Sequence, residues 1–271
     1  MSWRVVTRNN LRGATSNRGS LLLAGGFLLG FGGFAALIAY VGDPDFQGYL
    51  NLLAPGMTLL VPLAGIIVGY DALVTERESG AAVLTLSMPH SREALIAGNI
   101  ASRTAQFVGV VGVPTALTGL GMAVTYPAFE AVRYLGFVGV TVGYGLVFVW
   151  VAAALSIALS TARRVIGAAF GAYVGLVLSW DVLIAIAEGV LFRFRSTGPE
   201  PVAWATALTF IGPQTATEYL LGTVINAGAV PPVANEVTAW YISPVVAAVA
   251  LVFWAVGPVA IGSWSFQQSD L

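Results

Sequence analysis

The sequence has no lysine, no cysteine and one histidine, His90, and only 9% of its 271 residues are charged. Each scarcity excludes something. Without lysine there is no GxxxxGK[ST] phosphate loop, because that loop sets its lysine on the β- and γ-phosphates. The chain therefore encodes no nucleotide engine of that type. Without cysteine there are no disulfides, thiolate metal sites or cysteine nucleophiles, and one histidine cannot build a His-rich metal cage. Twelve arginines stand against 13 acidic residues, and the net charge of -1 gives no electrostatic basis for nucleic acid as a partner. No cofactor is expected in this chain.

What the sequence has in excess is apolar: 57% of its residues are hydrophobic. Soluble domains carry about 25% charge, so this composition belongs in a membrane. A spanning helix needs about 20 mainly apolar residues. On that criterion the chain reads as an all-α, polytopic membrane protein, one membrane-spanning unit over residues 1–271. Its six transmembrane helices fall near 21–42, 53–74, 100–125, 134–160, 165–188 and 238–262. The first span follows Arg4, Arg8, Arg12 and Arg18, as a signal peptide would, but its apolar run is too long and no small-x-small site closes it. An uncleaved helix is expected.

Between spans five and six, roughly 196–235, lie Pro199, Pro201, Pro213, Pro231 and Pro232 and the Gly212-Pro213 pair. Proline removes a backbone donor and breaks a helix. Two short helices on or dipping into the outer face are expected rather than a clean span. Upstream of span one, Trp3, Val6, Leu11 and Ala14 share one arc beside an Arg4, Arg8, Arg12 stripe. This fits either an N-terminal interfacial helix or an ordinary basic flank.

Arginine placement orients the chain, since cytoplasmic loops collect positive charge. With the N-terminus inside, Arg4, Arg8, Arg12, Arg18, Arg77, Arg92, Arg103, Arg163 and Arg164 are inner, and Arg133, Arg193 and Arg195 are outer. Both termini are then cytoplasmic in a multi-pass protein of the cell membrane.

Glycines recur at four-residue spacing or close to it: Gly25, Gly26 and Gly30; Gly136, Gly139 and Gly143; Gly167, Gly171 and Gly175. Such faces let backbones approach, most often within one chain and less often across a dimer seam.

The most informative stretch separates spans two and three, a cytoplasmic loop at 75–93. Tyr70-Asp71-Ala72 leads into Glu76-Arg77-Glu78-Ser79-Gly80, and a short apolar run through Leu84 ends at Pro89, followed by Ser91-Arg92. The apolar run exposes Val83, Leu84 and Leu86 to water unless a partner covers them. Ser91 is placed to cap the next helix. That helix, to Thr125, would be roughly 52 Å long against a hydrocarbon core of about 30 Å, and so projects from the membrane. Taken alone, the charged residues also suit a solvated loop that only sets topology. Projection together with an uncovered apolar knob points to docking by a soluble subunit.

Glu76-Arg77-Glu78-Ser79-Gly80, the apolar run, Ser87-Met88-Pro89 and Ser91-Arg92 resemble the signature of type-2 ABC transporter permeases. With Tyr70-Asp71-Ala72 and Pro62, the stretch looks most like the permeases of the nitrous-oxide-reductase maturation transporter (NosY-like). The motif covers about residues 62–104, and the topology most of the chain. The resemblance implies a six-span membrane subunit whose coupling helix lies in a cleft of a separate ATP-binding subunit, which holds ATP and Mg. Glu76, Arg77, Glu78, Ser79 and Gly80 would open that element, with Leu84 on its apolar face and Pro89, Ser91 and Arg92 closing it. Arg163 and Arg164, in the turn between spans four and five, would form a second contact. A second permease copy, identical or a sister, and membrane lipid would be the other partners. Gly212-Pro213-Gln214 resembles the family's outer re-entrant stretch, with glycine where asparagine is expected.

Asp181 and Glu188 lie seven apart, on one helix face near the outer boundary. They line the mouth of a path, or they rest at the interface beside Trp180. A secondary transporter or an intramembrane enzyme would use Asp71, Asp181 and Glu188. Asp71 and Asp181, however, fall at opposite membrane ends and form no dyad.

Overall fold

A computed structural model describes residues 18–42, 44–74, 92–193, 202–225 and 239–268, without the side chains of 92–95 and 265–267. The expected interfacial helix and most of the 75–93 loop lie outside the described residues. Among the described residues there are nine helices and no strand. They are α1 (Arg18–Val41), α2 (Phe46–Gly69), α3 (Arg92–Thr125), α4 (Ala131–Ala158), α5 (Ala162–Leu178), α6 (Trp180–Leu191), α7 (Ala203–Phe210), α8 (Pro213–Ile225) and α9 (Pro244–Gln268). Five are long and apolar enough to cross a membrane: α1, α2, α4, α9 and, from Ile96 on, α3. A sixth crossing exists if α5 and α6 count as one broken span. The single straight helix expected at 165–188 is instead bent by 72° at Ser179. A π-helical turn at Val174–Leu178, with its wider backbone spacing, immediately precedes the bend.

α4 is the hub, packing against α2, α3, α8 and α9. Its crossing with α2 is close because Gly65 and Gly69 present no side chain. A Cβ on Gly65 would lie 2.6 Å from the Gly145 carbonyl oxygen, and one on Gly69 would strike the Val149 carbonyl. On the far side Gly262 of α9 rests on the Ala154 backbone in the same way. In lipid, where apolar side chains gain little by leaving the solvent, such close backbone packing is what associates helices.

The glycine faces singled out above behave differently from expectation. Of those glycines only Gly136 meets a neighbour, Val224, while Gly25, Gly26, Gly30, Gly139, Gly143, Gly167, Gly171 and Gly175 have open space where a side chain would go. The intrachain seams use other glycines, because which face of a helix turns inward depends on its rotation and not on its spacing.

Helix boundaries follow local chemistry. Asp45 caps α2, its carboxylate accepting from the Gln47 and Gly48 amides at 3.0 and 2.9 Å. Leu21, Leu29, Leu60, Val132, Phe170 and Phe253 point outward from the bundle, as a lipid-facing surface requires.

Candidate functional site

Two regions concentrate polar chemistry, one at the Arg18 end of the bundle and one in its Asp45 half. At the Arg18 end, Glu76, Arg77, Glu78, Ser79, Gly80, Leu84, Pro89 and Ser91 lie outside the described residues, and Arg92 is the first residue of α3. The two stems of that loop are described. On the α2 side, the Leu73 and Val74 amides both donate to Ser156 Oγ of α4, each at 3.0 Å. Ser156 is fully buried, and Leu73 packs against Ile96 and Ile157. The chain is therefore held by two hydrogen bonds and an apolar contact at the point where it leaves the bundle.

On the α3 side, one Arg103 guanidinium nitrogen donates to the Asp71 carbonyl and lies 3.4 Å from the Asp71 carboxylate. Its other nitrogen donates to Gln106 Oε1 at 3.2 Å, and the Gln106 amide donates to Ser20 Oγ at 2.8 Å. α1, the end of α2, and α3 are thus joined by one polar chain. Asp71 marks the end of α2, and Arg103 lies 11 residues into α3. The helix therefore continues roughly 16 Å beyond that level.

Arg163 and Arg164 open α5 and are exposed. No acid lies in that first turn, where the helix dipole disfavours positive charge by about 0.3–1 kcal/mol per residue. Helix stability does not explain them.

In the Asp45 half, α7 and α8 form a hairpin that enters and leaves on one side. Its far end returns to the start of α2, where Gln47 Nε2 donates to the Ile225 carbonyl at 2.7 Å. Its near end lies 3.4 Å from the Tyr241 hydroxyl, measured to Ala203 O. The tip between α7 and α8 is clamped by two indoles in edge contact, Trp180 and Trp254. Trp180 Nε1 donates to the Leu208 carbonyl at 3.0 Å and Trp254 Nε1 to the Ile211 carbonyl at 2.9 Å. These are backbone groups that helix ends leave unpaired. Gly212 is required there, because a methyl group on it would strike the Trp180 ring. Pro213 then starts α8, where a missing amide hydrogen costs nothing. Trp254 lies ten residues into α9, so the tip reaches roughly 15 Å into the bundle.

Around this hairpin, Asp181 faces the Thr215 hydroxyl, and Glu218 takes a 2.9 Å hydrogen bond from Gln214 Nε2. Glu218 lies within electrostatic reach of Asp181 and of the Tyr144 hydroxyl, which is buried without a hydrogen-bond partner. Glu188 shares α6 with Asp181, but the carboxylate that Asp181 influences is Glu218, on α8. The sequence reading missed Glu218, Tyr144 and the tryptophan clamp. A signal existed for the first: Glu218 is the one charged residue between Glu200 and Glu236.

Residues 15–271 match the ABC-2 family transporter proteins. The chain belongs to that family. An ABC-2 assignment fits an all-helical, multi-pass membrane protein with a polar, anchored loop stem at one end and a helical hairpin in the other half. Among curated relatives, the "Probable ABC transporter permease protein NosY" of Pseudomonas aeruginosa is 26% identical over 283 aligned positions, covering 98% of each chain. This ABC-2 protein is a membrane permease component, and its family implies an ATP-binding subunit as partner.

Proposed function

We propose that this permease couples ATP hydrolysis by a separate subunit to substrate export or translocation, working as a pair with a second permease copy. The observation that carries the reading is the Arg18 end. A long α3 that packs against the loop stem at Leu73 and against Ile157 as far as Ile96 and then continues by about 6 Å, and a loop stem locked to α4 by Ser156, suit transmission of a push. Both termini and the 75–93 loop are cytoplasmic in this reading, supported by the nine-to-three arginine distribution. The chain then crosses six times, α5 and α6 together making the fifth span, and the α7–α8 hairpin dips in from the outer face. The open Gly167, Gly171 and Gly175 face of α5 suits approach of the second copy.

The coupling element is Glu76 to Gly80 with Leu84, Pro89, Ser91 and Arg92, and Arg163 and Arg164 make the second contact. ATP and Mg bind the partner. Gly80→Trp or Arg92→Glu should abolish substrate-stimulated ATPase in the reconstituted complex and leave membrane insertion intact. Normal stimulation in both variants would reject the reading.

One observation favours a second reading, secondary transport. Among the described residues, Asp181 and Glu218 have no cationic side chain within ion-pair distance, and intramembrane carboxylates commonly carry protons. That reading expects uptake or efflux from vesicles that contain this chain alone.

A further inference from the structure

α1 and α2 do not stay together along their length. Near the Asp45 end, α1 packs on α2, and the Tyr49 hydroxyl donates to the Phe31 carbonyl at 3.1 Å. Toward Arg18 the two part, and α1 leans on α3 instead, tied there through Ser20 and Gln106. The parting leaves an apolar cleft of about 560 Å³ between Leu22, Gly26 and Gly30 of α1 and Met57, Leu63 and Ile67 of α2. Among the described residues nothing fills the space above Gly26 or Gly30, where an added side chain would meet no atom within 4 Å. The small residues therefore make the cleft and do not close a seam.

Three magnitudes limit its occupant. From Gly19 to Gly30 the cleft is roughly 17 Å long, close to the 15 Å or so of one leaflet's hydrocarbon. A helix 10–12 Å across and equally long would displace at least ~1,300 Å³, more than the roughly 1070 Å³ of empty space between the two helices, so a partner's helix does not sink fully into it. The wall is almost wholly carbon, and one end stops beside Arg18, whose side chain is exposed. An arginine at headgroup level offers a fork of donors to a phosphate. We infer that this cleft seats one acyl chain of an anionic phospholipid, with its phosphate on Arg18. In the orientation proposed above, the lipid belongs to the cytoplasmic leaflet.

The test uses the full-length chain with its ATP-binding subunit, reconstituted in phosphatidylcholine vesicles. These contain a trace of either phosphatidylglycerol or phosphatidylcholine carrying a photoreactive acyl chain. Labelling by the anionic probe should map to residues 19–30 and 57–67. It should fall about fivefold or more in Gly26→Leu/Gly30→Leu, which fills the cleft, and stay unchanged in Gly25→Leu, which is equally open but does not line it. Arg18→Gln should bring the anionic probe down to the level of the neutral one. Equal labelling of the cleft and of the exposed α9 face at Val249 and Phe253 would overturn the inference, as would labelling unaffected by the double substitution. Efficient disulfide formation between copies through Leu22→Cys, with loss of labelling, would overturn it in favour of a second copy covering the cleft.

Discussion

Arg103 holds Asp71 by two of its acceptors, taking its carbonyl as a hydrogen-bond partner and approaching its carboxylate to 3.4 Å. The carbonyl bond fixes the backbone, and the ion pair fixes the side chain, two residues past the end of α2 and just before the 75–93 loop. Both side chains are only partly exposed, so solvent screens the pair incompletely. Arg103→Ala should cost about 1.5–3 kcal/mol, the range for a hydrogen bond to a charged group. Arg103→Lys, which keeps the charge but loses the fork, should cost less. Thermal unfolding in detergent measures both, and equal losses for Ala and Lys would mean that the charge contributes nothing.

Among the described residues, Ser156 Oγ is the acceptor for two amides. Ser156→Ala leaves the Leu73 and Val74 N–H groups buried and unpaired, at about 1–3 kcal/mol for each orphaned group. Hydrogen exchange should accelerate at those two amides of the loop stem before it does at any amide of α4. Unchanged protection there would show that the stem is held by Leu73 packing alone.

The glycine seams separate sharply. Gly65→Val and Gly69→Val put a side chain into the Gly145 and Val149 backbone and should cost more than the 1–3 kcal/mol or so of ordinary overpacking, because backbone yields less than a side chain. Gly139→Val and Gly171→Val enter open space and should leave the monodisperse yield of the solubilised chain close to that of the unaltered protein. Size-exclusion profiles decide, and a similar loss in all four variants would contradict the packing described.

The hairpin clamp is open to chemistry because the chain has no cysteine of its own. Trp254→Phe removes the donor to the Ile211 carbonyl while keeping an aromatic ring. A single Thr209→Cys probe should then react faster with a membrane-impermeant thiol reagent than it does in the Trp254 background. Equal rates would mean that Trp180 alone holds the tip.

Arg163→Glu/Arg164→Glu separates fold from partner. Negative charge in the first turn of α5 suits the helix dipole and should raise stability slightly, by about 0.3–1 kcal/mol per residue. Association with the ATP-binding subunit, read by co-purification, should fall at least tenfold. Undiminished co-purification would remove this turn from the proposed interface.

Much of the architecture was legible from residue type alone. Apolar runs located the spans that α1, α2, α3, α4 and α9 form, and the Ser91-to-Thr125 pattern anticipated a helix too long for a bilayer, which α3 is, over Arg92–Thr125. These are sums over a window of chain, and a sum over neighbours needs no knowledge of what lies across the bundle. The ABC-2 family was legible too, from the stretch between Tyr70 and Arg92. Other features depended on the rotation, tilt and depth of each helix, which interhelical contacts set. They decided that Gly65 and Gly69, and not the Gly25 or Gly139 faces, meet backbone. They also decided that Trp180 and Trp254 meet over Gly212, and that Glu218, on a hairpin 37 residues further along the chain, comes within electrostatic reach of Asp181. Sequence determined which segments are long and apolar enough to cross a membrane. Tertiary structure decided which of their faces touch, because a helix of given composition can turn any side inward until its neighbours choose one.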